Sequence, residues 1–211
     1  MTPGAQIAAS IEVLEMVETS WEEGRHIPVD AMLADYFRKR RYIGAKDKGF
    51  ISRRVYTVLR KGGSLQWWAE SHSLAITPRS MVLGAIVREE GPLTQTIIGY
   101  FSGNGYDAKT LSPAETEAVK AGADTTAMPE WMRLNVPEWC LPKLKSLFGR
   151  DLDAEIAALE NHELSVVAHP VYGTQLQNFA VPGVPAEGEM QITFQDRPVE
   201  LADGTVVELR R

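Results

Sequence analysis

Cysteine is nearly absent from this chain of 211 residues, in which Cys140 is the only one. A single cysteine excludes a disulfide within the chain and is typical of proteins of the reducing cytoplasm. Long apolar runs are also missing, and none approaches the roughly 20 residues that a bilayer-spanning helix needs. Residues 1–6 lack a basic stretch followed by an apolar core, so we see no signal peptide. These absences predict a soluble, cytoplasmic protein without a membrane partner.

The residues from which active sites are built are equally scarce. The four histidines are scattered, with no carboxylate or cysteine at ligand spacing, so we predict no metal site. Cys140 has no base recognisable from the sequence and is best interpreted as a small buried apolar residue. No glycine-rich cofactor fingerprint follows a predicted strand. The sequence therefore predicts no catalytic residue.

Acidic residues are almost missing from one stretch, residues 38–61, although the net charge of the whole chain is −6. This stretch holds ten cations and one acid, Asp47, so its local charge is +9 and the remainder of the chain carries −15. A concentrated positive patch on an acidic protein attracts a polyanion at that place and repels it elsewhere. We therefore predict RNA contacts from Arg38, Lys39, Arg40, Arg41, Lys46, Lys48, Arg53, Arg54, Arg60 and Lys61.

Apolar residues recur at three- and four-residue steps up to about residue 159, a pattern typical of amphipathic helices. Ser112, followed by Pro113 and Glu115, predicts a helix start with a capping box. The pair Gly62-Gly63 predicts the end of a helix over residues 45–61, because glycine readily adopts the left-handed conformation that closes a helix. Residues 1–161 are thus expected to form a bundle of roughly seven or eight helices.

A different pattern begins at residue 162, where alternation replaces the helical period. Residues 191–194, 199–201 and 206–209 read as strands, and Asp203-Gly204 is a typical hairpin turn. The predicted fold class is therefore mainly α, with a helical domain over residues 1–161 and a small β-rich segment over residues 162–211.

The helix over residues 45–61 separates its apolar residues from its cations. At 100° per residue, Ile51, Val55 and Val58 fall on one side, and the cations from Lys46 to Lys61 fall largely on the other, which predicts a solvent-facing basic surface. Tyr42 and Phe50 lie beside these cations and offer either packing or a stacking surface for an unpaired base. An anionic protein partner and a merely solvated helix face are the alternatives to nucleic acid.

Several segments together resemble a known family. The matching stretches are Leu33–Arg38, Arg41–Lys48, Ile51, Val55–Arg60, Met128–Trp131, Pro137–Pro142 and Phe148-Gly149. In order and spacing they resemble the N-terminal domain of the Sun/RsmB/Nop family of ribosomal RNA cytosine-5-methyltransferases, which has the all-helical fold of the antitermination factor NusB. The resemblance covers residues 5–160. It departs at Ala45, where the family often has a serine that caps the helix.

The resemblance implies that residues 38–61 bind ribosomal RNA. The family's catalytic domain, which uses S-adenosylmethionine and two cysteines, has no counterpart in this chain beyond residue 162. The resemblance thus implies an RNA-binding module without its own catalytic domain or cofactor, so S-adenosylmethionine would enter only if a catalytic domain is supplied elsewhere. A NusB-like antitermination or regulatory factor that binds RNA and a protein partner is one alternative, and a non-catalytic subunit of a methyltransferase is another.

Overall fold

The computed structural model describes residues 1–92, 95–160, 199–200 and 206–207. The described chain is mainly helical, as the periodicity predicts, and falls into two compact units, residues 1–150 and 151–211. The described helices of the first unit are α1 (Pro3–Glu22), α2 (Val29–Lys39), α3 (Ala45–Arg60), α4 (Gly62–Ser71), α5 (Pro78–Glu90), α6 (Gln95–Tyr100), α7 (Pro113–Ala121), α8 (Glu130–Arg133) and α9 (Leu141–Phe148), with a 3₁₀ turn at Glu138–Cys140.

Helix α1 lies at the centre of the first unit and packs against α2, α3, α5 and α6. Its apolar side contributes Ile7 and Val13, which are fully buried and join Ile51 and Val55 of α3 in one core. Burial of an aliphatic side chain of this size stabilises the fold by about 1.5–3 kcal/mol. The predicted apolar stripe of α3 is thus what holds the basic helix in the bundle.

The predicted capping box at the start of α7 is confirmed. The Ser112 hydroxyl accepts a hydrogen bond from the amide of Glu115 at 3.2 Å, and the Glu115 carboxylate accepts one from the amide of Ser112 at 2.7 Å. Thr77 and Ser80 form a second capping box at the start of α5. Both boxes satisfy amide groups that the first helical turn leaves without partners.

The helix boundary predicted at Gly62-Gly63 is confirmed, but the left-handed conformation predicted for the two glycines is wrong. Helix α3 does end at Arg60, but neither glycine adopts the left-handed conformation, and both open helix α4 instead. A Cβ atom on Gly63 would lie 3.1 Å from the Cα atom of Met132, at the place where α4 packs against α8. Close packing of α4 against α8 therefore favours a residue without a side chain at Gly63.

The second unit contains helix α10 (Leu152–Glu160) and two short strands, β1 (Val199–Glu200) and β2 (Val206–Val207). The strands are antiparallel, with Val199 opposite Val207 and Glu200 opposite Val206. The rest of the predicted β-rich segment, including residues 191–194 and the turn Asp203-Gly204, lies outside the described residues.

None of the helices in the described residues combines the length and the apolar composition that crossing a bilayer requires.

Candidate nucleic-acid interface

Helices α2 and α3 form an antiparallel hairpin, called here the basic hairpin (residues 29–61). The ammonium group of Lys48, near the start of α3, lies 5.8 Å from the centre of the Phe37 ring, near the end of α2. At the opposite end the Tyr56 hydroxyl donates a hydrogen bond to Asp30. Ile43, in the turn between the helices, is 2% exposed and anchors that turn in the core. The hairpin therefore brings the cations that follow Phe37 next to those of α3.

A row of exposed cations runs along α3. Lys46, Arg53 and Arg60 are all exposed and follow one another at seven-residue intervals. At 1.5 Å per residue, each step is about 10 Å along the helix axis, and all three side chains leave nearly the same face. Arg41, in the turn before α3, is exposed as well. The sequence-predicted basic surface is therefore present as an extended line rather than a compact cluster.

The cations at the end of α2 are exposed but paired. The Arg38 and Lys39 side chains are 75% and 67% exposed, and both form ion pairs with Asp35, at 2.7 Å in the case of Lys39. The hydrogen bond from Lys39, helped by the hydrogen bond from Arg38 and by both positive charges, lowers the pKa of the Asp35 carboxyl. Exposed pairs of this kind contribute little to stability, so either cation can exchange its carboxylate for a phosphate at low cost.

Arg40 has a structural role in the turn. Its guanidinium lies 3.9 Å from the centre of the Tyr36 ring and forms an ion pair with Glu12 of α1. The Tyr36 hydroxyl donates to the same carboxylate at 2.7 Å. Burial and the neighbouring carboxylate raise the pKa of Tyr36, so its hydroxyl keeps its proton and its hydrogen bond. Arg40 therefore fixes the turn against α1 and is a weaker candidate for RNA contact than its neighbour Arg41.

Arg54 does not lie on the solvent face where the helical wheel placed it. Its side chain is 8% exposed, its Nη1 atom forms an ion pair with Glu89 of α5 at 2.8 Å, and its guanidinium lies 5.6 Å from the Phe50 ring. Its Nε atom is buried and has no hydrogen-bond partner in the described part of the chain. The carboxylate that draws Arg54 inward comes from a helix distant in sequence, which no reading of α3 alone could show.

Counting charges along the sequence overstated the excess of cations. Within residues 38–61 the only acid is Asp47, but the fold adds carboxylates from outside this stretch, namely Glu12, Asp35 and Glu89. Asp47 itself is bound by the side chain of Gln6 and by the terminal amine. Within the described part of the chain, four exposed cations of this stretch have no carboxylate partner, namely Arg41, Lys46, Arg53 and Arg60. Lys48 and Lys61 are half-buried.

The two aromatic candidates differ in exposure. Tyr42 is 73% exposed in the turn of the basic hairpin. Phe50 is half-buried, packs against the hydrophobic core and faces Arg54. This placement favours packing for Phe50 and leaves Tyr42 as the ring that can stack on a base.

One exposed ring was missed by the sequence reasoning. Tyr106 is 89% exposed and lines the same groove as Tyr42, although the two are far apart in the chain. The only local signal was the turn Gly103-Asn104-Gly105 directly before it, in which both glycines have positive φ. A turn explains why Tyr106 is exposed but not which surface it joins.

Comparison of the chain with protein-family models, with curated proteins and with solved structures yields no match.

Proposed function

We propose that this chain is an RNA-binding module that contacts its ligand through the exposed cations of the basic hairpin. The observation that supports this most directly is the row Lys46, Arg53 and Arg60, continued by Arg41, on a chain whose net charge is −6. Like charges held together on one face destabilise a fold slightly, and a polyanion relieves that cost.

The geometry suits a phosphate backbone better than a compact anion. Cations about 10 Å apart along one helix face can each meet a phosphate of an extended strand, whereas a small anion would reach only one of them. The remainder of the chain is acidic in sum, which disfavours RNA binding elsewhere and so favours binding at this face. Phosphate contacts of this kind position a strand without reading its sequence.

The resemblance to the NusB-like domain of the ribosomal RNA methyltransferase family gives the proposal its specific form. The ligand is then ribosomal RNA, and the chain serves as a non-catalytic RNA-binding module. Any methyl transfer would need a catalytic domain from another chain, with S-adenosylmethionine bound there. Arg38 and Lys39 would add contacts by releasing Asp35, while Arg40 and Arg54 would act structurally.

Charge reversal on α3 tests the proposal. We expect the double variant K46E/R53E to bind a structured ribosomal RNA fragment at least 25-fold more weakly at 0.1 M salt, because each lost phosphate contact costs roughly a factor of five at that salt concentration. The slope of log K against log salt should become shallower by about 1.4. Fluorescence anisotropy with a labelled RNA over a salt series measures both quantities.

The matched control is K120E/K143E, which makes the same change in net charge at two exposed lysines of α7 and α9. This control should bind like the unmodified chain apart from a small effect of overall charge. Equal losses in the two variants would mean that only net charge matters, and no binding by the unmodified chain at low salt would refute the proposed function.

A further inference from the structure

A groove of about 830 Å³ lies beside the basic hairpin, within the first unit. Its walls are the turn of the basic hairpin, with Tyr42, and the loop over residues 102–108, with Tyr106. These two tyrosines are 73% and 89% exposed, so packing covers little of either side chain. The groove is thus lined by two exposed aromatic rings from segments far apart in the chain.

The floor of the groove is apolar because α1 presents alanines there. Ala5, Ala8 and Ala9 lie at the i, i+3 and i+4 positions of one helix face and line the groove with methyl groups. Larger side chains at these positions would fill the space. The groove is therefore open enough for a flat group and offers it apolar contact from below.

The Tyr42 wall is fixed to the fold. The amide of Ile43 donates to the carbonyl of Arg40 at 3.0 Å, which closes the turn, and Arg40 is itself held by Glu12. Ile43, which follows Tyr42 in the chain, is buried in the core. The backbone that carries this exposed ring is therefore held on both sides.

The Tyr106 wall is fixed as well. Asp107 accepts hydrogen bonds from the hydroxyls of Thr2 and Ser102, at 2.5 and 2.7 Å, and these bonds lower the pKa of its carboxyl. The amide of Ala108 donates to the carbonyl of Gly4 at 3.2 Å. Because the loop is already ordered on α1, binding to its exposed ring would cost little conformational entropy.

The carboxylates that line the groove are already satisfied. Glu12 is paired with Arg40 and accepts from Tyr36, and Asp107 is held as described. Asp107 keeps its negative charge, because its partners Thr2 and Ser102 are neutral hydroxyls, so the groove favours an uncharged base over a phosphate. Arg41, next to Tyr42 in the chain, is exposed and cationic. The groove thus combines apolar and aromatic lining with a cation next to a lining residue in the chain, which is the combination that proteins use to bind single-stranded nucleic acid.

We infer that the groove binds unpaired bases of the same RNA strand, stacked on Tyr42 and Tyr106, while the phosphates run from Arg41 to Lys46 and Arg53. The inference rests on the proposed function and adds the class of RNA: single-stranded or bulged, because paired bases cannot reach an aromatic ring on a groove wall. Asn104 also lines the groove, and its side-chain amide is of the type that hydrogen-bonds to base edges.

Ring-removing variants test the inference. Y42A and Y106A should each lower the affinity for a labelled 12-nucleotide single strand by roughly five- to a hundredfold, the range for loss of one stacked base. The salt slope should not change, because no phosphate contact is lost. Affinity for a 12-base-pair RNA duplex should also stay the same. Y106F keeps the ring and should bind like the unmodified chain.

Abasic RNA separates stacking from an indirect effect on the fold. A single strand with abasic sites should bind the unmodified chain as weakly as the intact strand binds the Y42A/Y106A variant, and the two losses should not add. Binding of intact and abasic strands with equal affinity would overturn the inference, even if K46E/R53E confirmed the phosphate contacts. Loss of all binding in K120E/K143E as well would instead indicate failure of the proposed function.

A backbone variant provides a second test. A Cβ atom on Gly4 would lie 2.6 Å from the Cγ atom of Asp107 and 2.7 Å from the carbonyl oxygen of Tyr100, so G4A must displace the loop that carries Tyr106. Its loss of affinity for the single strand should add to that of Y42A but not to that of Y106A. Additivity with both variants would contradict a role of the Tyr106 wall.

Discussion

Two arginines adjacent in sequence have opposite surroundings, and exchanging each for methionine separates stability from binding. Arg53 is exposed on the row of α3, whereas the Arg54 side chain is 8% exposed and paired with Glu89. Methionine has nearly the length and apolar character of the arginine stem, so R53M and R54M remove a charge at similar volume. We expect R53M to change binding and R54M to change mainly the packing around α5.

The cost of changing Arg54 follows from its contacts. Truncation in R54A removes two buried methylene groups, worth about 1.6 kcal/mol, and the contact with the Phe50 ring, worth about 0.5–1 kcal/mol. R54M keeps the stem and removes the buried Nε atom, which has no hydrogen-bond partner in the described part of the chain. Removing an unsatisfied buried donor gains about 1–3 kcal/mol, and this gain offsets the loss of the ion pair. Glu89 is 46% exposed and can regain water once its partner is gone.

These terms give distinct expectations for Tm. R54A should lose about 2–3 kcal/mol, which lowers Tm by roughly 5–10 °C at this chain length, whereas R54M should remain within about 1 kcal/mol. R53M should keep its Tm, as exposed substitutions usually do. Its RNA affinity should fall roughly fivefold at 0.1 M salt, with the salt slope reduced by about 0.7.

Thermal unfolding followed by circular dichroism and RNA binding followed by anisotropy, on the same preparations, check both expectations. The unmodified chain and R54M should bind RNA equally, and R53M should be as stable as either. A loss of RNA affinity in R54M at unchanged Tm would refute the assignment of Arg54 to the core. A drop in Tm for R53M would refute its assignment to the surface.

Two further predictions concern stability alone. G84A should destabilise the fold by about 1–2 kcal/mol, because its Cβ atom would lie 2.7 Å from Cε3 of the buried Trp68. G49A has open space around it and should stabilise α3 by about 0.5–1 kcal/mol. Chemical unfolding measures both changes. Burial raises the pKa of Glu115, but hydrogen bonds from Arg79 and from its own helix cap outweigh it, so the pKa lies below the usual 4.5. Its stabilising contribution is therefore present above pH 4.5 and lost as the pH falls through the folded-state pKa, and Tm should depend less steeply on pH in E115Q than in the unmodified chain over this acidic range.

Features that depend on residues close in sequence were predictable. The capping box of Ser112 and Glu115 needs only residues three positions apart, and the local pattern identified it. The burial of Ile51, Val55 and Val58 follows from the helical period of α3, because side chains three and four positions apart share a face. For the same reason the exposed row of cations on α3 was anticipated.

Features that depend on distant partners were not predictable. The end of α3 before Gly62-Gly63 was predictable, but the close approach of α8 to Gly63 was not. The helical period of α3 placed Arg54 on the surface, because its partner Glu89 lies 35 residues further along the chain and is not part of that local pattern. In both cases the deciding atom belongs to another helix, which no local pattern contains.

The sequence by itself determined the helical character of residues 3–160 and the location of the cations, since period and charge are properties of neighbouring residues. Only the tertiary structure decided which cations remain in solvent, because ion pairs with Glu12, Asp35 and Glu89 form when helices pack. It also brought Tyr42 and Tyr106 to the lining of one groove. A shared surface exists only after the chain has folded, so the candidate RNA site is a property of the packing as well as of the charge.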